Sequence, residues 1–291
     1  MDNLIKKAII PIAGLGTRFL PLTKAVPKEF LPLVDKPIIQ YIVEELKASG
    51  INEIIFVTKP NQKAVLEYFK KAPKLEKILK HRKKHNSLGE LKKLVDIEEI
   101  MNFSSVAQKE PLGDGHAILQ AKKMIKDEPV AVLFPDDVVD SKIPCILQLT
   151  EIYKTCQKPV VGLFRVPKNK IPLYGIVEVE KIANRVYKIK KIIEKPSIDK
   201  APSDLAIVGR YIHTPEVFDY LKKTKIGNKH EIIVADVLNE MLKQGKTIYG
   251  YEIQGEWRGC GDKLGWIKAN THFSLKHPEF GSELKKYLKT I

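Results

Sequence analysis

Apolar residues follow two patterns along the first 170 positions of the chain. Short runs of consecutive apolar residues predict buried strands, and these span 7–12, 53–58, 103–107, 129–134 and 159–166. Between them, apolar residues recur three and four positions apart, which predicts helices such as the one from Pro37 to Ala48. A further helix is predicted over 113–124. Alternating strands and helices are typical of an α/β fold, here a doubly wound, mostly parallel, Rossmann-like sheet with helices on both faces.

The pattern changes after about residue 170. Residues 174–180 and 186–194 alternate apolar and polar positions, which predicts antiparallel strands. Further elements are predicted at 204–212, 215–223, 231–244, 247–253 and 266–275. Because neither a repeat nor a linker interrupts the chain, we expect one domain over residues 1–291 with two halves that meet near residue 170.

The net charge of +15, from 50 Lys and Arg against 35 Asp and Glu, raises nucleic acid as a partner. The densest basic cluster, residues 70–85, lacks the interleaved aromatic side chains on which bases stack. A solvated surface or an anion-steering patch is therefore the favoured interpretation, and we expect no nucleic-acid partner.

The chain lacks a run of 18 apolar residues, and its N-terminus lacks the apolar stretch of a signal peptide. The cysteines are Cys145, Cys156 and Cys260, an odd number without a CxxC spacing. This usage is typical of free thiols in a reducing compartment. We therefore expect a cytoplasmic protein without a membrane partner.

Gly14 and Gly16 lie in the loop that follows the first predicted strand. Such a loop can turn its backbone N–H groups toward phosphate oxygens, and Arg18 and Lys28 add cations to it. The dinucleotide fingerprint is excluded because Phe19 stands where its third glycine would be, and a Walker-type loop is absent. The alternative is a tight turn that binds no ligand. The two cations make this alternative less favoured.

Two carboxylates flank predicted elements in the manner of a metal site. Asp136 follows the strand 129–134, at the edge where α/β sheets bind ligands, and Asp262 precedes the helix 266–275. Oxygen ligands of this kind suit Mg²⁺. Each Asp could instead cap the N-terminus of the helix that follows, and for Asp262 this alternative is the stronger one.

Three further polar residues leave two interpretations open. The amide of Gln108 can pair with a pyrimidine edge, although a surface glutamine is more common. Glu194 and Lys195 end a predicted strand and could bind a sugar hydroxyl and a sugar phosphate, or form an exposed ion pair of little consequence.

Ordered motifs over about residues 5–275 decide among these alternatives. They are GLGTRFLP at 14–21, PKEFLP at 27–32, QKEPLGDGHA at 108–117, PDD at 135–137, YGI at 174–176, EKP at 194–196, GRY at 209–211 and CGDKLG at 260–265. With these motifs the chain resembles the sugar-1-phosphate nucleotidylyltransferases, in particular the bacterial UTP–glucose-1-phosphate uridylyltransferases.

The resemblance implies a role for each candidate residue. The residues expected at the nucleotide are Ala13, Gly14, Gly16, Thr17, Glu29, Gln108 and Gly113. Arg18, Lys28 and Lys195 are expected to be catalytic cations, and Asp136 and Asp262 to hold Mg²⁺. Gly175, Glu194, Lys195 and Gly209 are expected at the sugar phosphate. The half before about residue 170 would bind the nucleotide, and the half at about 171–275 the sugar.

The implied reaction is Mg-assisted uridylyl transfer from UTP to glucose 1-phosphate, in an enzyme that we expect to be a homo-oligomer. A thymidylyl version of the reaction and a non-catalytic nucleotide-binding regulator are the alternatives. The chain departs from the family at Asp204, where Asn is usual, and in KHEIIVAD at 229–236, which lacks the usual polar residues. These departures concern sugar selectivity more than nucleotide chemistry.

Overall fold

The computed structural model describes residues 4–224 and 230–291. The strands are β1 (Lys7–Pro11), β2 (Pro32–Leu33), β3 (Lys36–Pro37), β4 (Glu53–Thr58), β5 (Asn102–Ala107), β6 (Val130–Leu133), β7 (Asp137–Asp140), β8 (Val160–Arg165), β9 (Gly175–Ala183), β10 (Val186–Glu194), β11 (Leu205–His213), β12 (Tyr249–Glu252) and β13 (Glu256–Gly259). The α-helices are α1 (Ile38–Ala48), α2 (Ala64–Phe69), α3 (Pro73–His81), α4 (His85–Glu98), α5 (Asp114–Gln120), α6 (Lys122–Ile125), α7 (Cys145–Cys156), α8 (Pro215–Lys223), α9 (Val234–Lys243), α10 (Lys263–Lys276) and α11 (Gly281–Tyr287).

Within the described residues, a nine-stranded mixed sheet runs in the order β5-β4-β1-β6-β11-β8-β12-β10-β9. The pairs β5–β4, β4–β1, β1–β6 and β8–β12 are parallel. β11 is antiparallel to β6 and β8, and β10 is antiparallel to β12 and β9. All strands of this sheet except β10 and β11 therefore point the same way. The expected α/β class with a mostly parallel sheet is confirmed.

Helices cover both faces of the sheet. Ile39, Ile42 and Leu46 of α1 are fully buried in one core, together with residues of β1 and α7. Val217 and Leu221 of α8 belong to a second core, with residues of α5 and α9. Among the described residues, none of the helices is long and apolar enough to cross a lipid bilayer.

The sheet brings the ends of distant strands to one edge. β1 and β6 are parallel neighbours, so the loop after Pro11 and the turn after Leu133 leave the sheet side by side. β11 runs back from the same edge, where the N–H of Phe134 donates to the carbonyl of Gly209 at 2.9 Å. β9 begins beside β11, with Ile176 opposite Ala206. Motifs from before and after residue 170 therefore meet at this edge.

Two features differ from the sequence-based expectation. The helix predicted over 113–124 is split into α5 and α6, which meet at Ala121. β7 and β13 form a separate antiparallel ribbon in which Asp137 lies opposite Gly259. Its four-residue strands are too short for a periodicity to reveal. Lys229, the first residue of the atypical 229–236 stretch, lies outside the described residues, and the division near residue 170 stays a prediction.

Candidate active site

The loop after β1 is shaped around Gly16. This residue has φ +68°, and a Cβ there would lie 3.0 Å from Cγ2 of Thr23. The Thr23 hydroxyl donates to the Gly16 carbonyl at 2.8 Å and fixes the turn. Gly14 has open space around its Cβ position. Both the conformation and the packing therefore require glycine at 16, whereas glycine at 14 leaves room above the backbone.

The two cations of this segment converge on Asp136. The Lys28 ammonium lies 2.8 Å from Oδ2 of Asp136. A Cβ on Gly261 would lie 3.1 Å from an Arg18 guanidinium nitrogen and 3.3 Å from the same Asp136 oxygen. The short turns Thr17–Phe19 and Lys28–Phe30 hold these side chains. Arg18, Lys28 and Asp136 thus form one cluster from separate parts of the chain.

Charge pairing outweighs burial within the cluster. Burial opposes the ionisation of Asp136, but the nearby Lys28 ammonium and its hydrogen bond hold the carboxyl pKa below its usual range. Burial also opposes the charge of Lys28, yet Asp136 raises its pKa. Both groups are therefore charged at neutral pH.

Asp137 is the half-buried neighbour of Asp136, and both of its oxygens accept hydrogen bonds within the protein. Its Oδ1 accepts from the indole N–H of Trp257 at 2.7 Å, and its Oδ2 accepts from the backbone N–H of Gly209 at 3.0 Å. Burial and the adjacent Asp136 charge raise its pKa to about 6. Of the acidic pair in the motif, Asp136 is therefore the carboxylate left for ligands.

The sugar-side residues lie where β9 begins and β10 ends. Glu194 is in register with Gly175, and a Cβ on Gly175 would lie 3.0 Å from Oε2 of Glu194. Lys195 has φ +49°, and its ammonium lies 3.3 Å from Oε1 of Glu194. Because the Lys195 side chain is 61% exposed, this pair contributes little stability and leaves the ammonium able to reach a ligand.

Gly209 stands where β11 passes Phe134 and Asp137. A Cβ there would lie 2.5 Å from Oδ2 of Asp137 and 2.7 Å from Cβ of Phe134. Any larger residue would push these side chains away. Glycine at 209 therefore keeps β11 close to the acidic pair.

Asp262 caps the N-terminus of α10, which is one of the two interpretations that the sequence left open. Its Oδ1 accepts from the N–H of Gly265 at 2.9 Å. Its carboxylate nevertheless lines the same cavity as Asp136. A capping carboxylate retains lone pairs beyond the one that the cap uses, so both roles are open to it.

Gln108 and Gly113 are joined by a hydrogen bond. The Gln108 amide nitrogen donates to the Gly113 carbonyl at 3.0 Å and is 3.0 Å from Nδ1 of His116. Gly113 has φ +97°, and a Cβ there would lie 2.5 Å from the carbonyl of Ile232. Gln108 is thus a buried, internally bonded residue and not a surface glutamine.

One cavity of about 510 Å³ unites most of the predicted residues. Those in its wall are Arg18, Asp136, Gly175, Glu194, Lys195, Gly209 and Asp262. Lys28 joins them through Asp136. The others lie outside this wall, namely Ala13, Gly14, Gly16, Thr17, Glu29, Gln108 and Gly113. Glu29 is buried, and its carboxylate accepts from the Gln62 amide at 3.0 Å.

The wall also holds residues that the sequence did not single out. Asp114, Arg165 and Trp257 line the cavity. Arg165 is 2.6 Å from Asp204, the residue that departs from the family pattern. Only the position of Trp257, three residues before the CGDKLG segment, could have drawn attention to it in the sequence.

The donor set fits a magnesium ion. Asp136 is held ionised by Lys28, and it lies against Gly261, the residue before Asp262. Both carboxylates face a cavity whose wall also carries Arg18 and Lys195. Two carboxylates beside phosphate-binding cations match the oxygen ligands that Mg²⁺ prefers when it binds a nucleotide.

Comparison with known proteins agrees with this geometry. The family model described as Nucleotidyl transferase matches residues 7–274. The UTP–glucose-1-phosphate uridylyltransferase of Staphylococcus haemolyticus is 44% identical over 287 residues, which cover 99% of this chain and 98% of that protein. A uridylyltransferase of the same name from Staphylococcus saprophyticus is also 44% identical over 287 residues, 99% of each protein.

Solved structures give the same result. A UTP-bound UGPase from Acinetobacter baumannii has a TM-score of 0.89 and 38% identity, with 98% of each chain covered. A UDP-glucose pyrophosphorylase complexed with UDP-glucose has a TM-score of 0.84 and 38% identity, and covers 94% of this chain and 100% of that chain. The chain therefore belongs to the nucleotidyl transferase family, within its branch of bacterial UTP–glucose-1-phosphate uridylyltransferases.

Proposed function

We propose that the chain transfers the uridylyl group of UTP to glucose 1-phosphate and releases pyrophosphate. The observation that carries this proposal is the meeting of two ligand sets in one cavity. Arg18 and Asp136 line one part of it and Glu194 and Lys195 another. The names of the relatives at 42–44% identity support uridylyl rather than thymidylyl transfer.

The reaction we propose is an in-line displacement at the α-phosphorus of UTP. A phosphate oxygen of glucose 1-phosphate forms the new bond, and the bond from the α-phosphorus to the bridging oxygen breaks, so that pyrophosphate leaves. The attacking oxygen is already ionised, so the step requires neither a side-chain nucleophile nor a base. Catalysis then consists of positioning two polyanions and neutralising their charge.

Cations of the chain supply that neutralisation in our proposal. Arg18 and Lys28 hold the triphosphate, and Lys195 holds the phosphate of the sugar. A unit charge pair at about 4 Å contributes about 4 kcal/mol at an effective dielectric of about 20. Three such contacts suffice to offset the repulsion between the substrates.

We propose that Asp136 and Asp262 hold Mg²⁺, which would polarise the reacting phosphate and shield its charge. For Asp136 this requires the carboxylate to exchange its contact with Lys28. For Asp262 it requires a second lone pair beside the one that caps α10.

The nucleotide loop is proposed to act mainly through its backbone. Its residues are Ala13, Gly14, Gly16 and Thr17. Gln108 and Gly113 are proposed to recognise uracil. Because Glu29 is 2% exposed and bonded to Gln62, we propose that it affects the nucleotide by fixing the turn that carries Lys28.

Gly175, Glu194 and Gly209 are proposed to hold the glucose 1-phosphate. In this view the residues before about 170 bind the nucleotide, and those at about 171–275 bind the sugar. We propose that the protein acts in the cytoplasm as a homo-oligomer. Its three cysteines are free thiols in the structure, which suits that compartment.

Pyrophosphate release tests the proposal over a matrix of nucleoside triphosphates and sugar 1-phosphates. We expect turnover with UTP and glucose 1-phosphate and its loss in excess chelator. A preference for dTTP would favour the thymidylyl alternative. Binding of UTP without pyrophosphate release from any pair would favour a non-catalytic regulator.

A further inference from the structure

Asp137 and Trp257 line the cavity, yet the proposed reaction gives neither of them a role. The indole N–H of Trp257 donates to one Asp137 oxygen at 2.7 Å, and the backbone N–H of Gly209 donates to the other at 3.0 Å. The three residues come from β13, β7 and β11. One half-buried carboxylate therefore joins three separate elements at the sugar end of the cavity.

Aromatic packing fixes the Trp257 ring on its other sides. Its centroid lies 4.7 Å from that of Tyr174 and 6.0 Å from that of Phe164. Tyr174 directly precedes Gly175, where the sugar-side strand begins. A ring held in this way can aim its N–H at Asp137 with little freedom to turn away.

The contact between Asp137 and Gly209 is also close. A Cβ at Gly209 would lie 2.5 Å from Oδ2 of Asp137, so the strand approaches as closely as a glycine permits. The ribbon also ties the neighbouring backbone, because the N–H of Cys260 donates to the carbonyl of Asp136 at 2.6 Å. The Asp136 backbone is therefore held by its own contact, and movement of the Asp137 side chain is transmitted to Gly209.

We propose that Trp257 is a positioning residue, which acts through Asp137 and Gly209 to set the wall that receives glucose 1-phosphate. The proposal rests on the proposed function for the identity of that ligand. Loss of the indole N–H leaves the half-buried Asp137 carboxylate with one donor fewer, and the carboxylate then shifts toward other donors. The backbone of Gly209 shifts with it, while the nucleotide loop after β1 is untouched.

Trp257→Phe tests this because it keeps an aromatic ring and removes the N–H. We expect the KM for glucose 1-phosphate to rise about tenfold, as for a lost hydrogen bond to a charged group, with the KM for UTP and the kcat nearly unchanged. The matched control is Trp266→Phe. Trp266 donates its indole N–H to the Pro32 carbonyl at 2.9 Å, and it is not among the residues that line the cavity.

A double-mutant cycle separates positioning from a general loss of stability. In an Asp137→Ala background the effect of Trp257→Phe on the KM for glucose 1-phosphate should nearly vanish, because the acceptor of the indole N–H is already gone. Independent, multiplicative effects would overturn the proposal. Equal changes in the KM for UTP and for glucose 1-phosphate would overturn it too.

Tryptophan fluorescence gives a second test, which uses a variant that retains Trp257. The sequence has 2 tryptophans, so Trp266→Phe leaves Trp257 as the sole emitter. We expect UDP-glucose to shift its emission more than UDP does, because only the former fills the sugar side. Identical shifts would overturn the proposal. If the wild type releases no pyrophosphate from UTP and glucose 1-phosphate, the proposed function itself fails.

Discussion

The ammonium of Lys28 lies 2.8 Å from the carboxylate of Asp136, with both side chains 22% exposed. In the proposed reaction Lys28 binds the triphosphate and Asp136 binds Mg²⁺. The two partners therefore neutralise each other before either ligand arrives. Metal binding at Asp136 would displace Lys28 toward the phosphates, and this exchange would link the metal and the nucleotide energetically.

The link predicts opposite effects of Lys28→Met on binding and on turnover. Without nucleotide at pH 8, Mn²⁺ used as the probe should bind about tenfold more tightly, because the competing cation is gone. Turnover should fall strongly, because a triphosphate cation is lost. Electron paramagnetic resonance of free Mn²⁺ measures the first effect, and pyrophosphate release measures the second.

Lys7→Met is the matched control for this experiment. Lys7 also pairs with a carboxylate at 2.7 Å, that of Glu128, but it lies at the start of β1 and away from the cavity. Its loss should leave Mn²⁺ affinity unchanged. Weaker Mn²⁺ binding in Lys28→Met would contradict the competition between Lys28 and the metal.

Asp262 allows the cap and the metal to be tested separately. Asn is as good an N-cap as Asp, so Asp262→Asn should preserve the thermal midpoint and weaken the Mg²⁺ dependence of turnover. Asp262→Ala should lose the cap as well, at a cost of about 1 kcal/mol in the free energy of unfolding. If Asp262→Asn retains the wild-type Mg²⁺ dependence, Asp262 serves α10 alone.

The sequence was sufficient to predict the α/β class and to single out Arg18, Asp136 and Glu194, which meet in the cavity. Each lies in a local motif directly after a strand or at a strand end. The roles of Asp137 and Trp257 could not be predicted, because their hydrogen bond joins residues 120 positions apart. The short ribbon that contains both residues has no periodicity of its own, so only the folded chain reveals this contact.

Arg210 makes a buried ion pair beneath the active-site edge. It is 0% exposed, and its guanidinium bonds to Glu45 at 2.7 Å and to the Phe134 carbonyl at 3.1 Å. Arg210→Met should lower the free energy of unfolding by about 3–5 kcal/mol, because Glu45 is left buried and unpaired. Chemical denaturation measures the loss.

The double variant Arg210→Met with Glu45→Leu should recover much of this stability, since the unpaired charge is then absent. Each single variant should be less stable than the double variant. A double variant as unstable as the sum of the two singles would show that the pair is not coupled, and would contradict this account of the buried charge.

The burial of His213 predicts that the free energy of unfolding falls at mildly acidic pH. The side chain is 0% exposed at the end of β11, and neither ring nitrogen has a hydrogen-bond partner in the described part of the chain. Burial lowers its pKa to about 3, so the folded protein keeps the ring neutral while the unfolded chain takes up a proton below its usual pKa of about 6.5. Stability is therefore complete above about pH 6.5 and declines as the pH falls toward 3.

His213→Phe removes the titrating group and keeps an aromatic ring of similar shape beside Tyr211 and Phe218. From pH 7 to pH 5 the wild type should lose about 2 kcal/mol more unfolding free energy than the variant, since each pH unit below 6.5 contributes about 1.4 kcal/mol. Urea titrations at the two pH values measure the difference. The exposed His81, changed to Gln, is the control and should follow the wild type. Parallel pH profiles for wild type and His213→Phe would mean that His213 is charged in the folded protein, or that it does not contribute to the acid sensitivity.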